Sequence, residues 1–521
     1  MDEQQASTDK FTAELLDEIS GRGDAPAEIG GEIDRLLVEA DSATDSTRPI
    51  VELFKALVAA RHDHGAGFET FGITRERLEA LAARHEDIDE HGVTAGGRVG
   101  RAIRIAGEAG GRVREYLENK DSEAPSGIIL AAEMAENKKR IMAALSMSED
   151  DWNSFKGQLK HAINDVETLA GCIELPADAI RDVTRVTKDY RMRLTPYYAS
   201  LIMPGSPNDP VLLQAVPTAE MVDNAGEEIP PVASDHSPAR LIDQFYPRVV
   251  AVKVTNICAM YCTHCLRIAH IGKRDRLFSK AAYAEALDYI RENESIRDVL
   301  ITGGDAFMLP NENLKWLLNR LDEIKHVRMK RLGTRVPVTT PQRIDSELLD
   351  ILAESNDASP VRVVTQINTA QEITETSAAA FKNISRAVSA VLNQAVLLRG
   401  INDSFVKMAC LCETIQEAYV RPYYVFNCSY RNPQYTHMRV PVEKGRDIVE
   451  GLYGNISGDA VPRYIAAAGG KIPLHRDNLV EIRDGNITLR KPWDGTTVSY
   501  PDAEPEIYAD DETFAFNKYG K

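Results

Sequence analysis

Val249-Val-Ala-Val-Lys-Val-Thr-Asn-Ile-Cys258-Ala-Met-Tyr-Cys262-Thr-His-Cys265 is the stretch from which the fold is read. A β-branched, apolar run at 249–254 has the composition of a strand. Three thiols at C-x3-C-x2-C spacing then fall on one tight loop at the strand's end. Such thiolates are soft ligands for an iron–sulfur cluster, zinc or copper(I). Structural zinc is normally closed by a fourth Cys or His. His264 would serve in a zinc knuckle; an open iron would instead leave a place for a substrate to coordinate.

Beyond the loop, apolar strand-like runs alternate with helical stretches. The candidate strands are 249–254, 298–301, 327–332, 361–367, 395–398 and 422–426. Helical stretches lie at 280–291, 313–324, 346–354, 378–391, 405–419 and 442–453. Strict alternation predicts a parallel sheet with right-handed crossovers. The fold class is therefore α/β, a partial (β/α)6 barrel over residues 246–475 with a helical extension ahead of it. In such barrels the chemistry sits on the loops after the strands. The distinctive residues fall there: the three cysteines, Gly303-Gly304-Asp305, Gly333-Thr-Arg335, Gln366, Arg399 through Asp403, and Asn427-Cys428. Two glycines let a backbone approach a bound ligand closely, and Asp305 places an anion beside it.

Residues 1–150 show helical periodicity broken by glycine pairs, and read as a helical extension. His62, His64, His85 and His91 lie in acidic surroundings there; they read as a solvated helix face, with a metal site as the alternative. Residues 151–245 begin helical and turn proline-rich. The steps Thr195-Pro-Tyr-Tyr198, Asn208-Asp-Pro210 and Gln214-Ala-Val-Pro-Thr218 predict an extended, irregular path around a core. Residues 476–521 read as a β-rich segment and tail, with hairpin signals at Asp484-Gly485 and Asp494-Gly495.

The chain has 521 residues and a formal charge of -18, which disfavours nucleic acid and anionic membranes as partners. Seven cysteines, three in one motif, form no disulfide framework. The amino terminus lacks signal-peptide character, no apolar run has membrane-spanning length, and a cytoplasmic protein is expected.

Near the end of the barrel, Gly469-Gly-Lys471 puts a lysine after a flexible glycine pair. Its amine becomes a nucleophile if burial lowers its pKa, although Gly-Gly-Lys alone also reads as a surface turn.

Taken together, the cysteine loop, the T-P-Y-Y, N-D-P and Q-A-x-P-T steps and the Gly-Gly-Lys segment resemble the lysine 2,3-aminomutase family of radical SAM enzymes, over roughly residues 150–500. The resemblance implies that Cys258, Cys262 and Cys265 hold a [4Fe–4S] cluster whose fourth iron binds S-adenosylmethionine (SAM). It implies that Gly303, Gly304 and Asp305 grip the SAM amino group and that Gln394 contacts its adenosyl part; a buried amide tying strands together is the alternative for Gln394. It implies that Lys471 forms the internal aldimine with pyridoxal 5′-phosphate (PLP), that Arg267 clamps the substrate's α-carboxylate, and that Tyr246 and Arg248 lie near PLP. The implied activity is 1,2-amino migration in an L-α-amino acid, with an electron donor of the flavodoxin or ferredoxin type and a homo-oligomeric assembly. Elimination, deamination or decarboxylation of an amino acid, or a non-catalytic iron–sulfur protein, are the competing readings.

Three departures from the family stand out. No cysteine follows Cys428, so the C-terminal zinc site of clostridial members has no ligands here, and Ser404 stands where their other zinc cysteine would be. Three residues are missing between Pro462 and Lys471, and the glycine run is shorter. The two aspartates that hold a lysine side chain are replaced by Ser429 and Ala467. With Arg431, Arg463 and His475 nearby in sequence, glutamate is the expected substrate, followed by aspartate and small neutral amino acids; solvated arginines pointing away from the site are the alternative for Arg431 and Arg463.

Overall fold

Seven short strands, all parallel, carry the second half of the chain in a computed structural model. The structure describes residues 15–42, 48–83, 95–224, 237–272, 274–430, 433–512 and 514–519. His85, His91 and Arg431, named above, lie outside these residues.

The strands are β1 (Ile242–Tyr246), β2 (Val249–Thr255), β3 (Asp298–Gly303), β4 (Met329–Gly333), β5 (Val361–Thr365), β6 (Ala390–Leu397), β7 (Arg421–Asn427), β8 (Arg463–Ala467) and β9 (Lys471–Pro473). They form one sheet in chain order, with β1 and β9 antiparallel at its two edges. The six strands expected from the alternation are β2 to β7; β8 is a seventh parallel strand in a stretch to which the alternation assigned no element. Helices follow β2 to β7 as expected, and polar caps fix where several begin. Ser279, Asp345, Thr374 and Ser404 each accept a hydrogen bond from a first-turn amide.

Two corrections concern local structure. The helix expected to run to residue 391 ends at Ala387, and Ala390 already belongs to β6. The proline-rich steps are not an extended path. Thr195 caps a short helix Pro196–Ser200, and Asp209 caps another, Pro210–Ala215, taking the amides of Val211 and Leu212 at 2.9 and 2.8 Å. Each proline occupies the first helical position, where its missing N–H costs nothing. Tyr198, Val211 and Leu213 are buried with Met260, Leu398 and Cys428 in the core over the sheet.

The chain divides into compact units Met1–Arg114 and Glu115–Lys521. Helix Ala131–Ala144 buries Met134 and Ile141 in the same cluster as Tyr198. In the first unit, helices Ala27–Ser42, Arg48–His64 and Arg75–Ala83 bury Ile33, Leu36, Leu53, Leu57 and Leu78 together. His62 and His64 are exposed there.

The C-terminal segment is a three-stranded antiparallel sheet, β10 (Leu479–Arg483), β11 (Asn486–Arg490) and β12 (Thr497–Pro501). Asp484-Gly485 forms its first turn. Tyr500 stacks on Tyr430 at 4.5 Å, and Arg439 donates to the Pro501 carbonyl at 2.7 Å. Phe514 and Phe516 enter the main core. Among the described residues, no helix is long and apolar enough to cross a membrane.

Candidate active site

Cys258, Cys262 and Cys265 line one cavity at the carboxyl end of β2, together with Tyr190, Met260 and Ile268. Burial pushes the Cys265 thiol up to about 12 and that of Cys258 well above the usual range, and neighbouring thiols add to both shifts. A loop of this kind releases its protons when a metal centre binds. No three His, Cys, Asp or Glu side chains among the described residues converge on a single-ion site. His264 turns away from the cavity and pairs through Nε2 with Gln366 and Asn368, at 3.2 and 3.3 Å. Three thiols around one cavity, with His264 absent from its lining, fit a multi-iron cluster better than a zinc knuckle.

Gly303 and Gly304 allow a close approach of two loops. A Cβ on Gly303 would lie 2.3 Å from the Thr255 carbonyl oxygen, and one on Gly304 would lie 2.4 Å from that of Ile257. The glycines let the β3 loop press against the backbone of the cysteine loop itself. The Asp305 carboxylate is likewise occupied: it accepts from the amides of Phe307 at 2.9 Å and Arg335 at 2.6 Å. Burial raises its pKa, against the pull of these donors. Asp305 thus ties the β3 loop to the β4 loop.

Arg267 leaves the cysteine loop, is half-buried, and donates to Thr302 on β3. Burial lowers its pKa, opposed by Asp243.

Lys471 opens β9 and pairs with Ala467 of β8. Its Nζ lies over the rings of Tyr424 and Phe426, at 4.7 and 5.8 Å. Burial first, then the Arg331 guanidinium, bring its pKa down to about 8, which places a neutral amine within reach of ordinary conditions. The Tyr246 phenol lies near the Lys471 backbone, so the sheet's two edge strands approach each other at this residue. Gln394 lies on β6 in register with Tyr424. Arg248 is exposed, and its carbonyl accepts from the amides of Arg297 and Asp298 at 3.0 and 3.1 Å.

The structure therefore brings the predicted residues together in two groups. The cysteines, Arg267, Gly303, Gly304 and Asp305 share the mouth; Lys471, Tyr246 and Gln394 belong to the inner wall. Tyr424, Phe426 and Arg331 were missed. The alternation Tyr424-Val-Phe426 was the available signal, since it sets both rings on one face of a strand. Arg331 and Arg362 are register partners on β4 and β5 and so share a face. Arg331 is paired with Asp298 at 2.8 Å, while the Arg362 Nε is buried without a hydrogen-bond partner. Arg463 and His475, expected near a substrate side chain, are both exposed.

Residues 252–410 match the Radical SAM superfamily model. The chain is 38% identical to glutamate 2,3-aminomutase of Clostridioides difficile over 410 residues, covering 78% of this chain and 96% of that protein. The chain belongs to the lysine and glutamate 2,3-aminomutase family. It is also 38% identical to L-lysine 2,3-aminomutase of Clostridium subterminale over 367 residues, 70% of this chain and 86% of the other. With L-lysine 2,3-aminomutase of Bacillus subtilis the identity is 37% over 383 residues, 73% of this chain and 80% of the other.

Proposed function

We propose that this protein is a radical SAM, PLP-dependent 2,3-aminomutase that converts L-glutamate, or a closely related acidic α-amino acid, to its β-amino acid. The observation that carries the reading is a lysine amine with its pKa lowered to about 8 in the same barrel that presents three cysteines around one cavity. Cys258, Cys262 and Cys265 would hold the cluster, the Gly303-Gly304 loop and Gln394 would border SAM, and Lys471 would hold PLP. When bound, these groups supply hydrogen abstraction and an electron sink for the migrating nitrogen.

The chain's own part is placement. Tyr424 and Phe426 exclude water from the Lys471 amine and keep it available as a nucleophile. Tyr246 lies near the backbone that carries it. Arg267 offers a planar guanidinium suited to an α-carboxylate. A flavodoxin- or ferredoxin-type electron donor and a homo-oligomeric assembly complete the proposal.

Charge supports an acidic side chain. A dry barrel holding a distal ammonium needs a carboxylate, because an unpaired buried charge costs several kcal/mol. Ser429 and Ala467 supply none. On the opposite wall, Arg331 neutralises Asp298 and Arg362 remains as a cation beside it. The relative from Clostridioides difficile bears a glutamate-specific name, which agrees with this choice. The test is a competition among glutamate, aspartate, lysine, arginine and alanine, with anaerobic SAM, PLP and reductant, ranked by kcat/KM for isomeric β-amino acid products. Glutamate should rank first. Lysine on top would overturn the substrate assignment, and non-isomeric products would overturn the mutase assignment.

A further inference from the structure

We infer that Arg335 raises the reduction potential of the metal cluster held by the cysteine loop, acting through a hydrogen bond to Cys262 Sγ, and that Glu372 holds that effect in check. The inference rests on the cluster reading given above.

Arg335 follows β4 and is 9% exposed. Its Nη1 donates to Cys262 Sγ at 2.9 Å. Its Nη2 donates to Glu372 Oε1 at 2.5 Å, to Gln214 Oε1 at 3.1 Å and to the Tyr198 hydroxyl at 3.2 Å. Its backbone amide donates to Asp305 at 2.6 Å, which fixes the start of the side chain as well as its end. Glu372 is fully buried, and its second oxygen takes the amide of Asn368 at 2.9 Å. The guanidinium therefore cannot swing away from the sulfur without breaking bonds to three other elements.

An ion pair that served packing alone would need only Glu372. The additional contact aims one arm of the fork at a sulfur that the family places on iron. Hydrogen bonds to cluster sulfurs and nearby net charge are among the levers that set iron–sulfur potentials. Reduction adds one electron to a centre surrounded by thiolates, so a cation donating to one sulfur favours the reduced form. The Glu372 carboxylate opposes it from behind the guanidinium. In a water-excluded network both influences are larger than they would be in solvent. Arg335 is thus a positioning and tuning residue, acting on the cluster through Cys262.

The two charges predict opposite signs, which a purely structural role does not. The full chain is reconstituted anaerobically, iron and sulfide are quantified, and the cluster is titrated with dithionite by EPR without SAM or amino acid. Arg335→Gln should disfavour reduction about tenfold, a shift of about 59 mV downward for one electron. Arg335→Lys, which keeps the charge but loses the fork, should shift less in the same direction. Glu372→Gln should shift the potential upward. Unchanged potentials in fully loaded variants would overturn the inference, as would shifts of the same sign for Arg335→Gln and Glu372→Gln. Failure of Arg335→Lys and Glu372→Gln to load iron would assign the network to loop folding and equally overturn it. A wild-type chain that takes up no iron would instead overturn the cluster reading itself.

Discussion

Cys262 Sγ meets a guanidinium that also reaches Glu372, Gln214 and Tyr198, whereas Lys471 Nζ lies over the ring faces of Tyr424 and Phe426. At the mouth, loops from β2, β3, β4 and β5 are tied by short polar bonds, and two glycines remove the side chains that would hold them apart. On the inner wall, water is excluded and polar partners give way to aromatic carbon. The first arrangement fixes where atoms are; the second changes what one atom can do. A cluster needs its ligands held in place through a change of charge, and an amine nucleophile needs its proton held weakly.

Removing a ligand at the mouth should have the largest effect. Alanine at Cys258, Cys262 or Cys265 should abolish cluster absorbance and SAM cleavage. Cys172, Cys410, Cys412 and Cys428, which are buried and do not line the cavity of the three, should be dispensable for loading. Full iron in any loop variant would break the comparison at its first term. The same metal analysis should find no stoichiometric zinc, because the C-terminal sheet is held by Tyr430, Arg439 and Phe514. One tightly bound zinc per chain would contradict that.

The next effect is at the lysine. Borohydride reduction of the PLP-loaded protein should leave a pyridoxyl adduct on the peptide containing Lys471, and Lys471→Ala should lose it. An adduct on another lysine would remove Lys471 from the site.

The smallest effect sharpens the contrast. The Lys471 amine is depressed from 10.5 to about 8, so capture of PLP by the cofactor-free chain should rise with pH around that midpoint. Below it the amine is protonated and inert; above it the amine is neutral. Tyr424→Ala lets water in and should move the midpoint upward, toward the value of a free lysine. A midpoint unmoved by the loss of Tyr424 would mean that the aromatic wall does not set the pKa.

Much of this was legible because it is local. The cysteine spacing and the β-branched runs are each contained in a few residues. The seventh parallel strand was not. Tyr464-Ile-Ala-Ala-Ala is alanine-rich, and alanine is a poor marker of strands. Its pairing with β7 decided its structure. Thr195-Pro and Asp209-Pro were read as extended because proline disfavours helix at the preceding residue; here that residue is the cap. Arg335, Glu372 and Tyr198 are far apart in the chain, and nothing in a single stretch announces that they meet. Arg463 and His475 are exposed for a different reason: Arg463 is in register with Tyr424 but opens β8, at the strand end away from the cysteine loop, and nearness to Lys471 in sequence does not reveal how deep in the barrel a side chain sits.

The pairing of β8 with β9 sets Lys471 opposite Ala467 and Ile472 opposite Ala466. Ile472 is fully buried, while Lys471 is half-buried and reaches the aromatic wall. Neighbouring residues of a strand face opposite ways, so a slip of one position would exchange the two, turning the amine out and an isoleucine in. The turn at 468–470 makes no such demand: it can be lengthened or shortened while Lys471 stays opposite Ala467. The shorter glycine run of this chain is therefore compatible with an unmoved lysine. What the hairpin must preserve is an odd-or-even count along its strands, and the number of residues at its tip is free to drift.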